Sequence, residues 1–173
     1  MITRFAAAAS IAALLLLSAC AAKPRPTQQA APVSASPPPD FTLAVTVFAP
    51  PSTHARPDIA PNRRPARYLV EADGLLRVAL GPGTGDTTYP PAVRPLTTEQ
   101  LASLYNDLRT TGWLTTESPA RVSSSQTYRP NPGSTAYLVT FTADGRRRTI
   151  VAKPNETAPR ALVDRLTKLA WIQ

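Results

Sequence analysis

Residues 134–153 read STAYLVTFTADGRRRTIVAK, and this stretch indicates the fold class more clearly than any other part of the chain. Two runs of strand-forming residues flank Asp144-Gly145. An Asp-Gly pair between such runs is a strong signal for a tight turn between antiparallel strands. A two-residue turn also fixes which residues face each other across the hairpin. The predicted pairs are Phe141 with Arg148, Val139 with Ile150, and Tyr137 with Ala152.

A second hairpin is predicted over residues 66–80, ARYLVEADGLLRVAL, which also turns at an Asp-Gly pair, Asp73-Gly74. We expect a type I′ turn there, because that turn needs two residues that tolerate a positive φ. Upstream, residues 41–47 alternate large apolar with small or polar side chains, which predicts a half-buried strand. Its inward side chains are predicted to be Phe41, Leu43, Val45 and Val47.

A helix is predicted after each hairpin. In residues 96–114, LTTEQLASLYNDLRTTGWL, Thr97 or Thr98 is the expected N-cap and Gly112 the residue that ends the helix. The second helix runs to Trp171. The apolar face of the first helix is predicted to be Leu101, Leu104, Tyr105 and Leu108, and that of the second Leu162, Leu166 and Leu169 with Val163 and Ala170 beside them.

These elements predict an α+β domain in the order β-ββ-α-ββ-α. It has an antiparallel sheet of about five strands with both helices packed on one face. Residues 49–65 and 81–95 are predicted to be loops, because Gly and Pro are frequent there. Four large aromatic residues are expected in the core rather than on a carbohydrate-binding surface: Tyr68, Tyr137, Trp113 and Trp171. The hairpin-then-helix unit occurs twice, either through duplication or because both hairpins use the commonest turn.

The N-terminus indicates where the protein resides. Arg4 precedes an apolar run, residues 5–17, which has the length of a signal-peptide core and is too short to span a bilayer. The run ends in Leu17-Ser18-Ala19-Cys20, which resembles the lipobox of bacterial lipoproteins at all four positions. The resemblance implies that residues 1–19 are a signal peptide and that Cys20 carries lipid.

The residues after Cys20 extend this prediction. Ala21 and Ala22 follow it, without the Asp that commonly retains such lipoproteins at the inner membrane, so the resemblance implies an outer-membrane destination. The chain contains 20 prolines in 173 residues, and several lie within residues 20–39, which predicts an extended tether. A single α+β domain is then expected over residues 40–173.

The residue types place limits on chemistry. Cys20 is the only cysteine and His54 the only histidine, and His54 lies in a Pro-rich segment where we expect a solvent-exposed loop. No pair of carboxylates has the pattern of a glycosidase or metal site. We therefore predict no catalytic residue, no metal site and no cofactor, and a domain that is not an enzyme.

Positive charge is the most distinctive remaining feature, because the net charge is +8. Arg146, Arg147 and Arg148 follow the second hairpin turn, and Arg63 and Arg64 form a second basic stretch. Strand alternation predicts that Arg147 faces opposite to its two neighbours. The run either protects a sheet edge or contacts an anionic lipid or envelope polymer. Nucleic acid is not an expected partner, since no nucleic-acid motif accompanies the charges.

The sequence thus predicts a membrane-anchored envelope lipoprotein with a small non-enzymatic interaction or structural domain. Its expected partners are the membrane, through the lipid, and an envelope protein or anionic polymer. An alternative is inhibition of an extracellular protease, because the hairpin–helix order resembles that of emfourin-type inhibitors. That resemblance implies a small α+β fold acting on metalloproteases, and it assigns no inhibitory residue.

Overall fold

The computed structural model describes residues 36–114, 128, 130, 131 and 133–171, which belong to a compact unit over Val33–Gln173. These residues form one antiparallel six-stranded sheet and two α-helices, which confirms the α+β class. The strands are β1 Thr42–Phe48, β2 Ala66–Val70, β3 Leu75–Leu80, β4 Ala92–Pro95, β5 Ala136–Ala143 and β6 Arg146–Ala152. The helices are α1 Thr98–Thr110 and α2 Thr157–Ala170.

The prediction of about five strands was too low by one. The additional strand is β4, a four-residue edge strand inside the segment predicted to be a loop. It pairs with Leu75–Arg77 of β3, and its register shifts between Leu76 and Arg77. So short a strand, ending at Pro95, has no alternation from which it could be recognised, and only the partner strand defines it.

Strand β1 lies near the middle of the sheet, whose order is β4-β3-β2-β1-β5-β6. The predicted hairpins β2–β3 and β5–β6 flank it on either side. Val45 of β1 is paired with Tyr68 of β2 on one side and with Val139 of β5 on the other. The first predicted strand therefore joins two hairpins that are otherwise separate.

The two Asp-Gly turns differ. Asp144 and Gly145 have φ values of 53° and 69°, so both lie in the left-handed region that a two-residue turn requires. All three predicted residue pairs of the β5–β6 hairpin are confirmed. The type I′ prediction for the β2–β3 turn was wrong. Only Gly74 has a positive φ there, and its N–H donates to the Glu71 carbonyl at 2.9 Å, which makes a longer turn.

One face of the sheet and both helices form a single hydrophobic core. Every second residue of the central strands is buried in it, including the predicted Leu43, Val45 and Val47, and so is the predicted Phe41, which directly precedes β1. Leu104 and Leu108 of α1 and Leu162, Val163 and Leu166 of α2 contribute the helical side of the same cluster. The two helices therefore cover the same face of the sheet.

The ends of α1 agree with the sequence. Thr97 is the N-cap, and it exchanges hydrogen bonds with Gln100 in a capping box. Gly112 follows the helix with a φ of 74°, the conformation that glycine adopts most readily at a helix C-terminus.

Three of the four aromatic residues expected in the core are buried, namely Tyr68, Tyr137 and Trp113. The prediction for Trp171 was wrong, because its side chain is 55% exposed. Helix α2 ends at Ala170, its last buried residue, and the extended backbone of Trp171 (ψ 111°) carries the indole past the core.

The two buried tyrosines tie distant elements together. The Tyr137 hydroxyl donates to the backbone carbonyl of Asn62 at 2.9 Å, and the Asn62 amide donates to Asp164 of α2. The Tyr68 hydroxyl lies 2.8 Å from that of Thr167. Burial raises the pKa of both phenols, so they stay protonated and able to donate. The loop before β2 is thereby fixed to the sheet and to α2.

Replacing Tyr137 with Phe should lower the free energy of unfolding by about 1–2 kcal/mol, because the buried Asn62 carbonyl loses its donor. The measurement is urea denaturation. Tyr105→Phe is the matched control, since the Tyr105 ring contacts Phe41 and its hydroxyl makes no hydrogen bond to a described residue. The control should change stability by less than about 0.5 kcal/mol. Equal losses in both variants would contradict a structural role for the Tyr137 bond.

Candidate functional site

The predicted signal peptide (1–19), the lipidated Cys20 and most of the tether (20–35) lie outside the described residues. So does most of the loop after α1, residues 115–127. Within the part of the chain that is described, no helix is long and apolar enough to cross a membrane.

The two predicted basic stretches lie at opposite ends of the sheet. Arg63 and Arg64 follow Asn62, whose carbonyl is bound by Tyr137, and Tyr137 pairs with Ala152 at the end of β6. Arg146 begins that strand, six residues away, which corresponds to about 20 Å. Arg63–Arg64 and Arg146–Arg148 are therefore separate surfaces.

Arg64 has a structural role in its own loop. Its guanidinium donates to the Ile59 carbonyl through Nε at 2.8 Å and through Nη2 at 2.7 Å. These bonds hold the Pro-rich segment between β1 and β2 in place. Arg63 is exposed, so of this basic pair it is the one whose charge is presented to solvent.

The three arginines of β6 divide between the two faces of the sheet, as alternation predicts. Arg148 is paired with the buried Phe141, so it lies on the helix-covered face, and Arg146 lies on the same side. Arg147 is paired with Thr142 and lies on the other face. Arg146 and Arg147 are exposed, whereas Arg148 is half-buried.

Arg146 and Arg148 line a pocket of about 350 Å³ near the β5–β6 turn. Its apolar wall is formed by Tyr105, Leu114 and Phe141. The Arg148 guanidinium donates to the Trp113 carbonyl at 3.3 Å, which orients it from the segment after α1. Asp144 also lines the pocket, so two arginines face one acidic residue there. The lining keeps a net positive charge over an aromatic floor, which suits an anionic group attached to an apolar one.

Asp40 fixes the turn from which this pocket extends. Its carboxylate accepts the N–H of Asp144 at 3.0 Å and the N–H of Gly145 at 2.6 Å. Both amides of the turn point outward and would otherwise bond to water. The residue at which the folded domain was predicted to begin therefore holds the loop that precedes Arg146.

Arg67 lies on the other face of the sheet from this pocket. Its Nη1 donates to the hydroxyl of Thr46 at 2.9 Å and to the Gly85 carbonyl at 3.2 Å. Burial lowers the pKa of Arg67, Asp86 opposes that effect, and Arg147 adds to it. Arg67 and Arg147 thus share a face, with Arg67 engaged in holding the loop after β3.

A groove with a volume of about 570 Å³ lies between the two helices. Leu108, Trp113 and Leu162 form part of its lining. Arg165 of α2 crosses it to make an ion pair of 2.5 Å with Asp107 of α1. This ion pair joins the two helices across the groove, and the exposed Lys168 also lines it.

Glu71, Arg77 and Tyr89 form a third polar cluster. Arg77 Nε lies 3.0 Å from a Glu71 carboxylate oxygen, and the Tyr89 hydroxyl donates to the other at 2.6 Å. The Arg77 guanidinium also lies 4.6 Å from the centroid of the Tyr89 ring. The hydrogen bond from Tyr89, and secondarily Arg77, lower the pKa of Glu71. Arg77 therefore neutralises the charge of Glu71 in the folded domain.

His54 is exposed in the segment after β1, as expected. Its imidazole packs near Gly81, where an added Cβ would lie 3.2 Å from the ring. In the described ranges, no three His, Cys, Asp or Glu side chains are grouped in a way that could hold a metal ion.

No protein-family model, curated protein or solved structure matches this chain.

Glu71 should contribute to the decrease in the free energy of unfolding at acidic pH. Its pKa is lowered in the folded state, so its stabilising effect is present above the ordinary glutamate value of about 4.3 and is lost as the pH falls below it. We expect Glu71→Gln to be less stable than wild type at pH 7, with the difference shrinking below about pH 4. Unfolding free energies measured from pH 7 to pH 3 would test this.

Tyr89→Phe provides the comparison, because it removes the largest cause of the lowered pKa and keeps the aromatic ring over Arg77. The difference in unfolding free energy between Tyr89→Phe and the double variant Tyr89→Phe/Glu71→Gln should depend less on pH than the difference between wild type and Glu71→Gln. A difference between wild type and Glu71→Gln that is constant across the range would contradict the assignment.

Proposed function

We propose that this chain is a lipid-anchored protein of the bacterial envelope, and that its folded domain is a binding module for an anionic partner. The observation that carries the second part is the pocket lined by Arg146 and Arg148 over an aromatic wall. The first part is supported by the lipobox-like Leu17-Ser18-Ala19-Cys20 and the apolar run before it. The absence of Asp after Cys20 favours the outer membrane.

The anchor places the domain where anionic partners are abundant. A lipid chain contributes about 0.8 kcal/mol per buried methylene, and two or more chains give stable attachment. A pocket with two guanidinium groups then acts on ligands that are concentrated near the membrane. Electrostatic attraction of this kind mainly accelerates association and selects partners by charge.

The proposal does not include catalysis. Among the described acidic residues, Glu71 is bound by Arg77, Asp107 by Arg165, Asp164 by Asn62, and Asp40 by the β5–β6 turn. These contacts give each of them a structural role. Inhibition of an extracellular protease stays a prediction from element order, and stoichiometric inhibition assays would test it.

The anchor proposal predicts that Cys20→Ser abolishes labelling with radioactive palmitate and moves the protein from the membrane to the soluble fraction. Globomycin should likewise block processing of the wild type, because it inhibits the lipoprotein signal peptidase. Ser18→Ala is the matched control, since alanine keeps a small residue at that position, and it should remain lipidated. A Cys20→Ser protein that still fractionates with membranes would contradict a lipid anchor.

The binding proposal predicts that Arg146→Glu weakens binding of the full-length protein in detergent micelles to immobilised polyglutamate by roughly tenfold, or about 1.4 kcal/mol. Arg63→Glu carries the same charge change at the opposite end of the sheet, so it should have a much smaller effect. Binding should also weaken as salt is raised, because exposed charges are screened. Equal losses in the two variants would indicate a response to net charge alone and would contradict a site at Arg146.

A further inference from the structure

The two edges of the sheet differ in their capacity to accept another strand. Strand β4 forms one edge, and it is four residues long and ends in a proline, which has no N–H to donate. Strand β6 forms the other edge, and it has seven residues without proline or glycine. By length and composition, β6 is the edge on which an extended peptide could pair.

The register identifies which backbone groups of β6 point outward. In a hairpin with a two-residue turn, the residues that flank the turn, here Ala143 and Arg146, form a hydrogen-bonded pair, and such pairs alternate along the ladder. Arg147, Thr149 and Val151 therefore direct their N–H and C=O groups away from β5. Over the described residues these groups make no hydrogen bond beyond the sheet.

The charge on β6 decides which strand would fit. Arg146 and Arg148 lie on one face and Arg147 on the other, so an added strand meets positive charge on both sides. A second copy of β6 would place arginines near arginines, and like charges in facing positions are destabilising. A strand with acidic side chains would instead form cross-strand ion pairs with these arginines.

The pocket beside the turn supplies a second determinant. Tyr105, Leu114 and Phe141 line it on the same face as Arg146 and Arg148. Because alternate residues of an extended peptide point to one face, an added strand with alternating acidic and apolar residues could direct its acidic side chains toward Arg146 and Arg148 at this pocket and its apolar side chains to the opposite face. Backbone pairing then provides affinity, and the pocket and arginines provide specificity.

We propose that β6 binds an extended acidic segment of another envelope protein as a seventh strand of the sheet. This inference rests on the proposed function, since it names the anionic partner of the same arginine surface. The probe is a synthetic peptide, acetyl-Val-Glu-Val-Glu-Val-Glu-Val-amide, added to the full-length protein in detergent micelles.

Thr149→Pro tests the backbone pairing. The N–H of Thr149 points away from β5, so proline removes no bond of the sheet but blocks an added strand. Thr149→Val is the matched control, because it also loses the contact between the hydroxyls of Thr149 and Thr140 while keeping the N–H. We expect Thr149→Pro to bind the peptide about tenfold more weakly than Thr149→Val. Equal affinities in these two variants would overturn the inference.

Hydrogen exchange provides a readout that does not depend on a variant folding. Bound peptide should protect the amides of Thr149 and Val151 from exchange. Two further peptides carry N-methyl groups either on all Glu residues or on all Val residues. Only one of these two should lose binding, because an added strand pairs with β6 through one of its two edges. Peptide binding without protection of these amides would overturn strand addition.

The outcomes separate this inference from the proposed function. If polyglutamate and the peptide bind, but neither Thr149→Pro nor N-methylation matters, the anionic site stands and the seventh strand is wrong. If no anionic probe binds, both are wrong. A concentration-dependent dimer that protects the same amides without peptide would show that a second copy takes this edge, and would also overturn the inference.

Discussion

The pairing of β1 with β2 on one side and β5 on the other is the interaction on which the rest of the structure depends. Each hairpin forms from residues close in sequence, but an isolated hairpin is marginally stable in water. Leu43, Val45 and Val47 lie where the two hairpins meet, and all three are fully buried. The pairing of β1 with β5 joins residues 88 to 100 positions apart, so ordering the chain for it is costly in entropy. Burial of this central strand against both helices offsets that cost.

The parts of the fold that could be predicted are those encoded locally. The register of β5–β6 follows from a two-residue turn, and the ends of α1 follow from Thr97, Gln100 and Gly112. Strand β4 could not be predicted, because its pairing with β3 is the only thing that makes it a strand. The turn at Asp73-Gly74 has the same dipeptide as the turn at Asp144-Gly145 but a different geometry, so the residues around the dipeptide also contribute to the choice.

Trp113 and Trp171 show that the two hairpin-then-helix units, although similar in sequence, do not have the same surroundings. Both follow a helix in the sequence, yet one indole is buried and the other is mostly exposed. Trp113 comes after a left-handed glycine that turns the chain back toward the core, and Trp171 has no such residue before it. Similar sequence units therefore occupy different environments.

The candidate site shows the same limit. Alternation predicts the faces of Arg146, Arg147 and Arg148 correctly, because it depends on the strand alone. The contacts that shape the pocket come from far away in sequence: Arg148 binds the carbonyl of Trp113, and Asp40 binds the turn. From the sequence, Arg63 and Arg64 were predicted to be a second basic stretch like Arg146–Arg148. In the structure, the Arg64 guanidinium instead binds a carbonyl of its own loop. The sequence identifies the basic residues, but only the tertiary structure distinguishes an arginine that holds a loop from one that is exposed to solvent.

The contact between Asp40 and the β5–β6 turn also has a mechanical consequence. A pulling force on the chain before Asp40 enters the domain at the start of β1, which runs antiparallel to both of its neighbours. When such a force acts along the strand, it loads the hydrogen bonds of both ladders in shear and all at once, rather than opening them one at a time. Asp40 carries the first part of that load through the amides of Asp144 and Gly145, next to the arginines of β6. Tension in the chain would therefore reach the β5–β6 turn and the start of β6 before the sheet itself yields.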